Sequence, residues 1–233
     1  MKDAIFYPAD TRGSADFGWL KARYSFSFGS YFDPERVNFG ALRVLNDDLV
    51  APGRGFAPHP HDNMEIITIP LFGALEHRDS TGMRDVIQSG DVQIMSAGSG
   101  IWHSEVNAGA DQPLGLLQIW ILPQKRDIPP RYNRKSFPPE GRKNRFQTVV
   151  SSTDPNALPI NQNAHLSQAD LTDSVAYSLF DSTNGVYIFV IEGSVETEGF
   201  TLKRRDALGL RNRNRIVFHP IDSAKILVVE IPV

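Results

Sequence analysis

Met64-Glu65-Ile66-Ile67-Thr68-Ile69-Pro70-Leu71 is a β-branched, apolar run. Phe72-Gly73 breaks it, Ala74 to Arg78 resumes it, and Asp79-Ser80-Thr81-Gly82 turns it back through Arg84 to Gln88. Ser89-Gly90-Asp91 then turns into Val92 to Met95, and the loop Ser96-Ala97-Gly98-Ser99-Gly100 delivers Ile101-Trp102-His103. A meander of short strands with tight turns is what a small β-barrel requires. An all-β fold is therefore expected.

The same reading extends outward. Tyr24 to Phe28 and Ala41 to Leu45 are strand-like pieces, punctuated by Gly29, Gly40 and an Asn46-Asp47-Asp48 turn. No apolar period of 3.6 residues persists there. Beyond the block, Leu116 to Leu122 is a strong strand. Pro123 to Arg145 follows, with five prolines and the basic residues Lys125, Arg126, Arg131, Arg134, Lys135, Arg142, Lys143 and Arg145. It reads as an interdomain connection, which divides the chain into an N-terminal domain, residues 1–135, and a C-terminal domain, residues 136–233. In the second half Val186 to Glu196 matches Ile66 to Glu76 when Gly193 is set against Gly73. That alignment puts Leu179 and Asp181 where His59 and His61 stand, and His219 falls short of the position of His103. Two similar barrels are expected, the second without its ligands, as duplication followed by loss would leave them.

His59-Pro60-His61 and His103-Ser104-Glu105 bracket the meander. Side chains at i and i+2 of a strand leave on the same face about 6.6 Å apart, so each segment can aim two donors at one point. Three imidazoles and a carboxylate suit a divalent transition metal and leave coordination positions open. The nitrogen donors disfavour Mg²⁺ and Ca²⁺, and the absence of cysteine disfavours a cysteine-closed zinc site. Glu65 shares parity with His59 and His61 if the strand is unbroken, and so is a second candidate carboxylate. Phe56, Met64, Ile66, Met95 and Trp102 are the expected pocket walls. His77 is expected to be exposed, and His165 and His219 to be structural.

At 233 residues the chain can bury a proper core, and 41 % hydrophobic with 22 % charged residues is an ordinary globular composition. A net charge of −3 gives no reason to expect nucleic-acid binding. Without cysteine, disulfides and thiolate catalysis are excluded. Met1-Lys2-Asp3-Ala4-Ile5 opens no apolar run of signal-peptide length and no later stretch approaches a membrane span, so a cytoplasmic location is expected, with no membrane partner. Two barrels can bury their own interface, and a monomer is expected.

Gly53, His59-x-His61, Glu65 and Gly73, followed by Gly90, Gly98, His103 and Asn107, resemble the cupin pattern. Gly73 comes one residue late, Ser96 stands where proline is usual, and four residues rather than two separate Gly98 from His103. Those departures resemble the pirins, bicupins with the signatures seen here in Gly55 to His61 with Met64-Glu65, and in Gln93 to Glu105. The resemblance implies two cupin (jelly-roll) barrels and His59, His61, His103 and Glu105 as metal ligands. It also implies iron(II) as the occupant, with Mn, Co, Ni, Cu or Zn as alternatives. Bacterial members are described as quercetin 2,3-dioxygenases, which implies a flavonol-like substrate, dioxygen, and ring opening with loss of carbon monoxide. Glu105 or Glu65 would take the substrate's hydroxyl proton, and Glu65 could instead orient a histidine. The animal pirin implies the other reading, an iron-binding redox sensor acting through protein partners; a purely structural metal is the third.

Overall fold

The computed structural model describes residues 3–233. Met1 and Lys2, part of the N-terminal segment considered for a leader, lie outside the described residues. The first strands are β1 (Ala4–Tyr7), β2 (Gly13–Asp16), β3 (Leu20–Tyr24), β4 (Leu42–Val50), β5 (Gly55–His61) and β6 (Glu65–Phe72). Next come β7 (Ala74–Asp79), β8 (Arg84–Gln88), β9 (Asp91–Ser96), β10 (Ile101–Asn107), β11 (Leu114–Ile121) and β12 (Arg131–Ser136). The second half adds β13 (Gln147–Ser151), β14 (Leu158–Pro159), β15 (His165–Leu171) and β16 (Val175–Ser178). It ends with β17 (Asn184–Thr197), β18 (Phe200–Lys203), β19 (Ala207–Leu210) and β20 (Arg215–Pro232). No described helix is long and apolar enough to cross a membrane.

The fold is all-β, in two barrels. The N-terminal barrel closes a seven-stranded sheet, β12-β9-β6-β11-β4-β3-β2, with a four-stranded sheet, β5-β10-β7-β8. Strands β17 and β20 run the length of the C-terminal barrel, and its sheet is β1-β19-β17-β20-β15-β13-β14 with β16 and β18 at the sides. Alternation along β6 and β11 shows why both faces of the seven-stranded sheet are buried. Ile67, Ile69, Leu117 and Ile119 join Tyr187, Phe189, Leu227 and Val229 of the other barrel in one hydrophobic core. Ile66, Gln118 and Trp120 face the inside of their own barrel. The C-terminal barrel fills its interior with Tyr177, Val186, Ile188, Leu208, Ile216, Phe218 and Val228.

Three expectations need correction. Arg131 to Ser136, assigned to the linker, is an edge strand paired with Ser96 to Asp91 of β9. An edge strand needs cover on one side only, so its basic residues are no obstacle. Residues Ala4 to Tyr7 pair with Leu210 to Ala207 in the C-terminal barrel, so the chain's start crosses the expected domain boundary. Asn46-Asp47-Asp48, read as a turn, lies inside β4, where pairing on both sides overrides its turn composition. The internal similarity is visible at Gly73 and Gly193. Both have positive φ, 79° and 77°, and in each a Cβ would meet a neighbouring backbone carbonyl, that of Pro113 or Ser223.

Candidate metal centre

His59 and His103 face each other across the β5–β10 pair, and His61 follows two residues along β5. Ring centroids lie 4.4 Å apart for His59 and His103, 4.8 Å for His59 and His61, and 5.0 Å for His61 and His103. One nitrogen from each ring lies within 4.8 Å of the others. His59 Nδ1 is 2.8 Å from the Ala57 carbonyl, which fixes that nitrogen as a donor and leaves Nε2 for coordination. His103 is buried, and neither of its ring nitrogens has a hydrogen-bond partner among the described residues. Desolvation, then the neighbouring imidazoles, lowers the pKa of His61 to about 4 and of His103 to about 3. Both rings are neutral donors at ordinary pH, as a transition metal requires. The donor set fits such an ion.

Glu105 enters from β10 after a register shift that sets it opposite Phe56 on β5 and His77 on β7. Its carboxylate is anchored by a polar row across the inner face of the large sheet. Gln118 stands opposite Asn46 and Thr68, and Thr68 opposite Gln93. Gln93 Nε2 donates to Glu105 Oε1 (2.8 Å), the Thr68 hydroxyl stands 3.2 Å from the same oxygen, and Gln118 Nε2 donates to Oε2 (2.7 Å). Glu105 groups most closely with His103 and His77, so His103 is shared by two donor clusters.

Glu65 is elsewhere. Asn63, at φ 47°, interrupts the chain between β5 in one sheet and β6 in the other, so parity does not carry across. Glu65 lies on the Ile67 face of β6, towards the other barrel. Ser96 Oγ (2.8 Å) and the Asn161 backbone N–H (3.2 Å) both donate to its Oε2. Burial raises its pKa against those hydrogen bonds. The role expected for it beside the histidines is not supported by this placement.

His77 is also corrected. It is 0 % exposed, because β7 lies between β10 and β8 with its ring turned inward. Its Nε2 is 3.0 Å from Asp79 Oδ2, and its ring stacks on Tyr132 of β12, centroids 4.7 Å apart. Tyr132 in turn donates to Asp85 Oδ2 at 3.1 Å. Of the other histidines, His165 is buried with Nδ1 2.8 Å from Ser151 Oγ, and His219 Nδ1 is 2.8 Å from the Ser174 hydroxyl at the surface.

The histidines open onto a cavity of about 1000 Å³ lined by Trp19, Tyr24, Phe28, Phe56, Ile66 and Trp120 among others. Trp120 packs edge-on to His61 at 4.9 Å and Phe28 edge-on to Trp120 at 5.4 Å, so the aromatic wall braces a ligand. Phe56 and Ile66 line it as expected, whereas Trp102 is 55 % exposed and outside the lining, and Met64 and Met95 pack with Ile66, Trp120, Ala97 and Ile101 without lining the cavity themselves. Thr68, Gln93 and Gln118 escaped sequence reading, although each is a polar residue set between two apolar neighbours in its strand, a signal of a polar partner across the barrel.

The pirin family model matches residues 8–121, and the quercetinase C-terminal cupin domain model matches residues 148–231. A pirin-like protein of Caulobacter vibrioides is 42% identical over 227 residues, covering 96% of this chain and 97% of that protein. A quercetin 2,3-dioxygenase of Escherichia coli K12 is 38% identical over 226 residues, covering 96% of each. The crystal structure of the bacterial pirin YhhW from E. coli in complex with nickel(II) matches with a TM-score of 0.92 at 35% identity, over 98% of this chain and 99% of that one. With both barrels matched and identity sustained along the whole chain, this protein belongs to the pirin family.

Proposed function

We propose that this chain is a metal-dependent dioxygenase that opens the ring of a flavonol such as quercetin with release of carbon monoxide. The observation that carries the reading is the convergence of His59, His61 and His103 on an aromatic-walled cavity of about 1000 Å³, of the size that encloses a drug-sized ligand. The E. coli relative named quercetin 2,3-dioxygenase supports it. Iron(II) is the proposed metal, held by the three histidines with Glu105 as the fourth donor; the nickel complex of YhhW supports a divalent ion there. Such an ion supplies open coordination positions and electron transfer between substrate and dioxygen.

The protein's own part is binding and proton handling. Trp19, Phe28, Phe56 and Trp120 hold the flat rings and exclude water. Glu105 takes the flavonol hydroxyl proton on Oε2, which among the described residues has a single hydrogen-bond partner, Gln118, whereas Oε1 has two close neighbours. The test is loss of flavonol absorbance in air with protein loaded with iron, manganese, cobalt, nickel, copper or zinc in turn. Turnover with at least one redox-active metal is expected, and none with any would overturn the reading. Exposed Trp102, directly beside His103 in sequence, favours the alternative of a redox sensor read by a protein partner. That alternative requires partner binding that follows metal oxidation state, without turnover.

A further inference from the structure

The inner face of β4 and β11 carries three buried polar atoms, Asn46 Oδ1, Asp48 Oδ1 and Trp120 Nε1, that find no partner among the described residues. Asn46 is 3 % and Asp48 5 % exposed, and the side chains of all three residues line the cavity that the histidines enter. Asn46 and Asp48 are two apart on β4 and share a face; Gln118, opposite Asn46, is two residues from Trp120 on the same face of β11. Two acceptors and one donor are thus gathered on one wall of an otherwise aromatic pocket. Leaving such groups unpaired costs stability, and replacing them by apolar residues of similar shape would not.

We propose that Asn46, Asp48 and Trp120 form a hydroxyl-recognition subsite that orients a polyhydroxylated aromatic substrate against the β4–β11 wall, with Trp120 beside the ligand His61. The choice of a flavonol rests on the function proposed above; the preference for hydroxylated rings does not. The indole N–H of Trp120 donates to a hydroxyl or carbonyl oxygen, and Asn46 Oδ1 accepts a phenolic proton. Burial, followed by the charges of Asp47 and Glu105, pushes the Asp48 carboxyl up to about 8, so near neutrality it offers a proton as well as accepting one.

The test uses metal-loaded protein and two probe pairs, followed by quenching of the pocket tryptophans. The first pair is quercetin and 3-hydroxyflavone, which share the 3-hydroxyl and 4-keto oxygens and differ in all the other ring hydroxyls. The second is resorcinol and toluene, which contain no chelating pair. Wild type is expected to favour the hydroxylated member of each pair roughly tenfold or more. Asn46→Leu and Asp48→Leu should bring that ratio close to one, with 3-hydroxyflavone affinity, metal content and Tm at or above wild type. Asp48→Asn, which keeps the shape and hydrogen-bonding capacity, should retain most of the preference and serves if the leucine variant fails to fold. A ratio unmoved by the leucine variants, or a ratio near one in wild type for resorcinol and toluene, overturns the subsite. Failure of both flavonols to bind, with resorcinol still preferred in an Asp48-dependent manner, overturns the flavonol assignment and leaves the subsite standing.

Discussion

His59 and His103 are direct cross-strand neighbours whose ring centroids lie 4.4 Å apart, although they come from opposite ends of the meander that β5 and β10 enclose. Antiparallel pairing brings the two signatures together, and it presents one nitrogen of each ring to the same point. His103→Ala should therefore abolish stoichiometric metal binding measured by elemental analysis, with little change in far-ultraviolet circular dichroism. One ion per chain retained in the variant would show that the cluster is not the site.

The two glutamates singled out by sequence should separate cleanly. Glu105 lies among Gln93, Thr68 and Gln118 inside the barrel, while Glu65 accepts from Ser96 and the Asn161 backbone between the barrels. Glu65→Ala is expected to cost about 1–3 kcal/mol of stability with unchanged metal content, since it takes the acceptor from the buried Ser96 hydroxyl. Glu105→Ala should weaken metal binding and abolish turnover. Denaturant melts and metal analysis check both, and the reverse pattern would restore Glu65 to the site.

The shared core makes the barrels one cooperative unit. Ile119→Ala, cut into the layer between them, should cost about 2–5 kcal/mol while unfolding remains a single transition. Residues 1–135 expressed alone would expose Ile67, Ile69, Leu117 and Ile119 and are expected to aggregate. A soluble, metal-binding fragment would contradict that arrangement.

Much of this was legible in the sequence, for a physical reason. His59, His61 and His103 announce themselves because a strand's period of two turns a spacing of two residues into a shared face. Glu65 was misread because that parity ends at Asn63, where the chain changes sheets. His77 could not be placed, since nothing local says that β12 will cover it with Tyr132. Asn46 and Asp48 have turn composition, and only burial between β3 and β11 makes them strand residues facing a cavity.

Asp48 should also leave a mark on stability against pH. Its folded pKa is raised from an ordinary 3.8 to about 8 by burial and by the charges of Asp47 and Glu105. The stability its proton contributes is therefore fully present below about pH 3.8 and is lost as pH rises towards 8. In chelator, the Tm of Asp48→Asn should fall less than that of wild type across this window. Parallel curves would mean that Asp48 is ionised throughout.

The most direct measurement is carbon monoxide released against flavonol consumed, after anaerobic loading with iron(II) and admission of air to protein and quercetin, with His59→Ala beside it. Near-stoichiometric carbon monoxide from wild type and none from the variant is the expected result. Tight iron binding by wild type with neither flavonol loss nor carbon monoxide would contradict the dioxygenase assignment.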